Sequence, residues 1–76
     1  MSMKPVNEPP KDEHKPFVCP VCGEYEFEEF DNYHECPVCG WGNDGSQYKW
    51  PDTTGAWNHM SLNQAREAYK RGKKVW

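Results

Sequence analysis

The stretch CPVCGEYEFEEFDNYHECPVCG, residues 19–40, begins and ends on the same pentapeptide and contains all four cysteines of the 76-residue chain. Each pentapeptide is a Cys-x-x-Cys followed by glycine, which is typical of a metal-binding knuckle. Thirteen residues separate Cys22 from Cys36. This spacing allows the two knuckles to close on one tetrahedral ion.

The residues of each knuckle suit them to hold a metal. Proline after the first cysteine fixes φ near the value that a tight turn needs, and glycine after the second can take a positive φ. We expect backbone amides to donate hydrogen bonds to the sulfurs, namely those of Val21, Gly23, Val38 and Gly40. Four thiolates suit Zn²⁺, with iron as the main competitor. The sequence therefore predicts one Zn²⁺ per chain, with Zn–S distances near ~2.3 Å, bound by Cys19, Cys22, Cys36 and Cys39.

Three readings without a metal compete with this one. Disulfides need an oxidising compartment, and residues 1–16 contain no apolar segment of the kind that directs secretion. A thioredoxin-like redox pair needs a βαβ domain, for which the chain is too short. Unliganded structural cysteines would not repeat a whole pentapeptide. The sequence therefore predicts a metal site in preference to these three alternatives.

Composition divides the chain into three segments. Residues 1–16 carry four prolines and six charged residues, so we expect a flexible arm with too little apolar surface to fold. Residues 17–72 form the predicted domain, and residues 73–76 a basic tail. A domain this small needs a staple, and a structural zinc ion supplies one.

Short elements are predicted around the knuckles. Tyr25 and Phe27 alternate with glutamates, which indicates a strand that residues 33–35 pair with on their return to Cys36. Residues 47–50 could add a short third strand before Pro51. The predicted fold class is a small metal-stabilised α+β domain: a zinc-ribbon-like two-knuckle β-hairpin with a C-terminal α-helix.

That helix has defined ends in the sequence. Ser61 is a good N-cap, and Gln64 completes a capping box. Gly72 is the expected C′ residue. The apolar face, which we expect to pack on the ribbon, comprises Leu62, Ala65, Ala68 and Tyr69.

The order and spacing of these motifs resemble the bacterial cysteine-rich CPCC family over about residues 17–72. The resemblance rests on both knuckles, on the tryptophan and glycine-terminated turn after the second, and on the helix motif, that is Trp41, Asp44-Gly45, Asn58 and Ser61-Leu62-Asn63-Gln64-Ala65-Arg66. Val21 stands where the family usually has a further cysteine, so that cysteine is dispensable as a ligand. Gly42-Asn43 replaces acidic residues, which weakens the case for a cation site at that turn. The resemblance implies a fold and leaves the function open.

Other conspicuous side chains have structural explanations. With four thiolates filling a tetrahedral shell, His34 and His59 are not expected as ligands. Ser61 is explained by its cap position rather than by nucleophilic chemistry. We expect Trp41 and Trp57 in the core and Trp50 and Trp76 at the surface, where exposed aromatics can anchor a partner.

Charge separates the remaining functional hypotheses. Residues 19–45 hold seven carboxylates and no lysine or arginine, whereas residues 61–76 hold five basic residues and one glutamate. The first hypothesis is a small zinc-binding module with a structural Cys₄ site that binds another protein. A nucleic-acid-binding zinc ribbon is disfavoured by the acidic hairpin, and a rubredoxin-like iron electron carrier by its wider knuckle spacing. A zinc hydrolase comes last, because a Cys₄ shell has no open position. We expect no enzyme activity and no membrane segment, and a cytoplasmic location; the oligomeric state stays open.

Overall fold

The computed structural model describes residues 4–76 and contains two strands and two helices. Strand β1 is Phe17–Val18 and strand β2 is Glu26–Phe27. Helix α1 is Gly45–Lys49, and helix α2 is Leu62–Lys70. The strands pair antiparallel with Phe17 opposite Phe27, so the first knuckle lies in the loop that joins them.

The pairing differs from the predicted hairpin. Strand β2 pairs with β1, before the first knuckle, and not with residues 33–35. Those residues pair instead across the second knuckle, where Glu35 and Gly42 form an isolated antiparallel bridge. Each knuckle turn brings its own flanking residues together, and this local closure wins over pairing between the knuckles. Asp31 and Tyr33 both take φ of 59° and redirect the chain between the two hairpins.

The predicted third strand is also wrong, because the chain forms helix α1 there. The Asp44 carboxylate caps this helix by accepting hydrogen bonds from the amides of Ser46 and Gln47. Such an N-cap stabilises a helical turn even in a short segment. Helix α1 ends at Lys49, and Trp50 is its C-cap.

Helix α2 confirms the sequence-based prediction. The hydroxyl of Ser61 accepts from the amide of Gln64, and the Gln64 side chain accepts from the amide of Ser61, which completes the capping box. Gly72 has φ of 69°, and the amide of Lys73 donates to the carbonyl of Ala68, as a Schellman motif requires. Tyr69, expected on the packed face, is instead exposed. Neither helix found in residues 4–76 has the length and apolar character needed to cross a membrane.

The hydrophobic core joins the knuckles to α2. It centres on Trp41, Phe27 and Leu62, all of which are fully buried, and includes Cys19 and Cys36. Val75 belongs to the same cluster with only 3% of its surface exposed. The core therefore extends beyond residue 72 into the segment expected to be a basic tail.

A polar clip fastens the loop between the helices. The buried Gln47 amide nitrogen donates to the carbonyls of Thr53, Asn58 and Met60, and its oxygen accepts from Asn58. The Asn58 side chain also exchanges two hydrogen bonds with the backbone of Gly42. These bonds hold residues 53–60 against the second knuckle.

The amino-terminal segment makes contacts that its composition did not predict. The amides of Val6 and Asn7 donate to the carbonyl of Lys49 at the end of α1, at 2.7 and 3.2 Å. The carbonyl of Glu13 accepts from the amide of Phe30. These bonds attach the segment to the domain at two places, while the mobility of residues 4–16 stays a prediction. Residues 1–3 of the predicted arm lie outside the described residues.

Candidate metal centre

The structure brings all four predicted cysteines together. Their sulfur atoms lie within 4.8 Å of one another, and the pairs Cys19–Cys39 and Cys22–Cys36 are 3.6 Å apart. Four sulfurs around a tetrahedral zinc ion, each at ~2.3 Å, stand roughly 3.8 Å apart. A disulfide requires about 2.05 Å. The arrangement fits a tetrahedral metal shell, and the cysteines are free thiols.

Backbone amides face the sulfurs in the same pattern at both knuckles. In the first, the amides of Val21 and Cys22 donate to the sulfur of Cys19. The amide of Glu24 donates to the sulfur of Cys22 at 3.4 Å. The second repeats this with the donors Val38 and Cys39 to Cys36, and Trp41 to Cys39. Such donors disperse the negative charge of a metal–thiolate centre.

The predicted amide donors were half right. Val21 and Val38 donate to sulfur as expected. The amides of Gly23 and Gly40 instead close the knuckle turns, donating to the carbonyls of Cys19 and Cys36 at 3.0 and 2.8 Å. Both glycines take positive φ, 69° and 93°, as predicted.

Burial sets the protonation of the metal-free thiols. Desolvation raises the pKa of Cys19 to about 11, although the amides of Cys22 and Val21 oppose it. Desolvation likewise raises the pKa of Cys39 strongly. At Cys36 desolvation also acts upward, but hydrogen bonds from the Cys39 and Val38 amides and from neighbouring thiols outweigh it and lower the pKa. The pocket therefore holds protons that a metal must displace.

Helix α2 supports the first knuckle directly. The guanidinium of Arg66 donates to the carbonyl of Pro20 at 2.7 Å. The pKa of Tyr69 is raised by desolvation and by the nearby charges of Cys22 and Glu24, which places its hydroxyl beside this knuckle. Leu62 and Ala65 of the same helix bury Cys19 and Cys36 in the core cluster. Helix α2 thus helps to hold the backbone of the first knuckle in place.

His34 and His59 lie outside the cysteine cluster, and Ser61 is the N-cap of helix α2 as predicted. In the part of the chain that the structure describes, the cluster able to hold a metal contains cysteines alone. His34 is exposed and bonds through its amide to Asn32. His59 is exposed and lies against the ring of Trp76, with centroids 4.6 Å apart.

The tryptophans are partly misplaced by the sequence prediction. Trp41 is in the core as predicted, and Trp76 is 53% exposed as predicted. Trp57, expected inside, is 56% exposed, and Trp50, expected outside, is half-buried. The Trp57 ring packs against Gly42, where a Cβ would collide with the indole.

The comparisons with known proteins agree with the resemblance seen in the sequence. A family model described as cysteine-rich CPCC matches residues 17–72, and the chain belongs to this family. No curated protein matches the sequence. The matched range contains both knuckles and helix α2, and it ends before Val75 and Trp76.

Proposed function

We propose that this cysteine-rich CPCC protein is a small zinc-binding module whose Cys₄ centre is structural and whose surface binds another protein. The observation that carries the metal assignment is the convergence of four sulfurs within 4.8 Å. Four protein donors fill a tetrahedral shell and leave no position for a substrate, so the proposal includes no catalytic role. The thiols suit a reducing compartment, and the cytoplasm is the proposed location.

Zinc is favoured over iron by the structural role proposed for the centre. Soft thiolates bind both metals, but zinc needs no redox partner and stabilises small domains outright. Elemental analysis of the purified chain tests the assignment. We expect one zinc per chain and a colourless protein, whereas a red protein with one iron per chain would establish the rubredoxin-like alternative.

The protein-binding part of the proposal depends on exposed aromatic surface. Trp57 and Trp76 each leave more than half of their surface to solvent in a chain of 76 residues. Large exposed aromatics are enriched at the energetic centres of protein interfaces. Trp76 is one of the two anchors that the sequence suggested, and Trp57 takes the place of the other, Trp50, which is half-buried.

Affinity capture with the metal-loaded chain tests this part. We expect a protein that resists nuclease and moderate salt and that is lost with Trp57→Ala. Val18→Ala is the matched control, because Val18 is also about half exposed but lies on strand β1. Capture that is equal for both variants would contradict the role of the aromatic surface.

The structure gives one further reason to disfavour nucleic acid. Of the five basic residues near the C-terminus, Arg66 bonds to Pro20, Arg71 pairs with Glu67, and Lys74 lies over the Trp76 ring. A phosphate-binding surface needs several cations directed to one ligand. Tight oligonucleotide binding that falls steeply with salt would favour nucleic acid over protein as the partner.

A further inference from the structure

The exposed tryptophans frame a groove beside the second knuckle. This groove has a volume of about 230 Å³ and is lined by Glu35, Gly40, Trp57, Asn58, His59 and Trp76. Its walls are fixed by backbone contacts. The amide of Met60 donates to the carbonyl of Trp76 at 2.9 Å, and a Cβ on Gly40 would lie 3.0 Å from the carbonyl oxygen of Val75.

The aromatic walls are held in place although they face solvent. The Trp57 ring lies over Gly42 and beside Tyr33, with centroids 5.3 Å apart, and its amide donates to the carboxylate of Asp44. The Trp76 ring is held against His59. Fixed indole surfaces lose little side-chain entropy when a ligand covers them.

The charge around the groove favours a cationic ligand. Glu35, which carries a carboxylate, lines the groove, and residues 19–45, which supply this wall, contain no lysine or arginine. The ammonium of Lys74 already lies 5.8 Å from the centroid of the Trp76 ring, so this ring accepts a cation from within the chain. Aromatic faces with a nearby carboxylate are a recurring arrangement for organic cations.

The volume of the groove favours a single side chain of a partner over a larger small molecule. Small-molecule pockets usually measure roughly 300–1,000 Å³, and this groove is smaller. A guanidinium is planar, stacks on aromatic rings and is more weakly hydrated than an ammonium. We propose that the groove binds an arginine side chain of a protein partner, with the indoles of Trp57 and Trp76 contacting the guanidinium and Glu35 balancing its charge. This inference rests on the proposed protein-binding function and names the chemistry of the partner.

A short peptide pair tests the site on the full metal-loaded chain. The probes are acetyl-Gly-Arg-Gly-amide and the same peptide with citrulline, which keeps the planar shape and removes the charge. We expect the arginine peptide to shift the indole N–H resonances of Trp57 and Trp76 and to bind about threefold or more tightly than the citrulline peptide. Equal binding of the two peptides, or no shift at millimolar peptide, would overturn the proposal.

Point variants locate the binding. Trp57→Ala and Glu35→Gln should each weaken the arginine peptide, whereas Glu26→Gln, an exposed glutamate on strand β2, should not. Lys74→Gln should tighten binding, because it removes the competing cation from the Trp76 ring. Dispersed amide spectra and a full metal content show that each variant is folded. An equal loss of peptide affinity with Glu35→Gln and Glu26→Gln would indicate general electrostatic attraction and would contradict binding in the groove.

The result is separable from the fate of the proposed function. If the Trp57→Ala variant still captures the partner and the arginine peptide does not bind, the proposed arginine site is wrong and the protein-binding proposal still stands. Peptide binding in the groove supports the inference whether or not a partner is captured. Concentration-dependent shifts of the Trp57 indole without peptide, with a dimer in sedimentation, would assign the groove to a second copy and overturn the proposal.

Discussion

At the scale of single residues, Asn58 does the most to join separate parts of the chain. Its buried amide bonds to Gly42 beside the second knuckle and to Gln47 of helix α1, at 2.8–2.9 Å. The sequence marks Asn58 through the family resemblance but does not show what it contacts. Its importance comes from contacts with residues 11 and 16 positions away, which no local pattern encodes.

Asn58→Ala should therefore destabilise the domain strongly. The substitution leaves the buried amide of Gly42 without a partner. It also removes one of two donors from the carbonyl of Gly42, which keeps the Asp44 amide, and from the oxygen of Gln47, which keeps the backbone amide of residue 58. We expect these losses to cost about 2–4 kcal/mol. Urea denaturation of the metal-loaded protein measures this. Asn63→Ala, which removes one exposed bond to Asp52, is the control and should change stability little. Similar losses of unfolding free energy for both variants would contradict the role of Asn58 in holding the loop.

Metal affinity should rise with pH. The raised pKa values of Cys19 and Cys39 keep both thiols protonated near neutral pH, so each must release a proton on binding. At least two displaced protons give an increase of about 100-fold or more per pH unit between about pH 6 and 8.

Competition with a chelator of known zinc affinity, repeated across this pH range, measures the dependence. The chelator's own protonation is corrected from its behaviour without protein. An affinity that does not change with pH would mean that the thiols are already ionised before metal binds.

At the scale of elements, the predictions that succeeded rest on local signals. Helix α2 was predicted from a capping box, a helical apolar face and a terminal glycine, all within residues 61–72. The four cysteines were grouped correctly because each knuckle is a local turn. Both are decided by neighbouring residues, which a sequence displays directly.

The predictions that failed concern short elements whose pairing is decided elsewhere. Strands of two residues carry almost no pattern, so β2 was assigned the wrong partner. Residues 47–50 alternate in polarity like a strand, yet the cap on Asp44 and the burial of Gln47 make them helical. The exposure of Trp57 depends on which backbone passes beneath its ring, which is a tertiary property.

Helix α1 should depend on its cap. Asp44→Ala removes the acceptor for Ser46 and Gln47 and also leaves the amide of Trp57 unpaired. We expect a loss of about 1–3 kcal/mol in denaturant unfolding, together with a shift of the Trp57 indole resonance. Asp12→Ala is the matched control, since Asp12 makes one exposed local bond to His14. An unchanged Trp57 resonance in Asp44→Ala would contradict the link between cap and groove.

At the scale of the whole molecule, the fold is thin. Its principal extents are 36 × 28 × 17 Å, and one helix with its side chains already occupies about 10–12 Å. The shortest dimension therefore has room for α2 and one further layer. The radius of gyration of 11.7 Å is that of an ordinary domain of this length. A domain this thin encloses little apolar surface, which supports the proposal that a metal stabilises it.

Removing the metal should unfold the domain. Structural zinc contributes on the order of 10 kcal/mol or more in comparable small domains. We expect a chelator to abolish the dispersion of the amide spectrum and the buried fluorescence of Trp41, and added zinc to restore both. Cys19→Ser should behave like the chelated protein at all zinc concentrations tested. A spectrum that stays dispersed without metal would show that the hydrophobic core is sufficient to keep the domain folded.

The two cysteines of each knuckle are not equally accessible. Cys19 and Cys36 lie in the core, whereas Cys22 and Cys39 are only half-buried. An incoming thiol or chelator would therefore reach an ion held here at the second cysteine of each pair. Exchange of the metal would begin by replacement of those two sulfurs while Cys19 and Cys36 stay bound. Even a structural centre would then exchange its metal at a rate set by the size of the acceptor that can reach those two sulfurs.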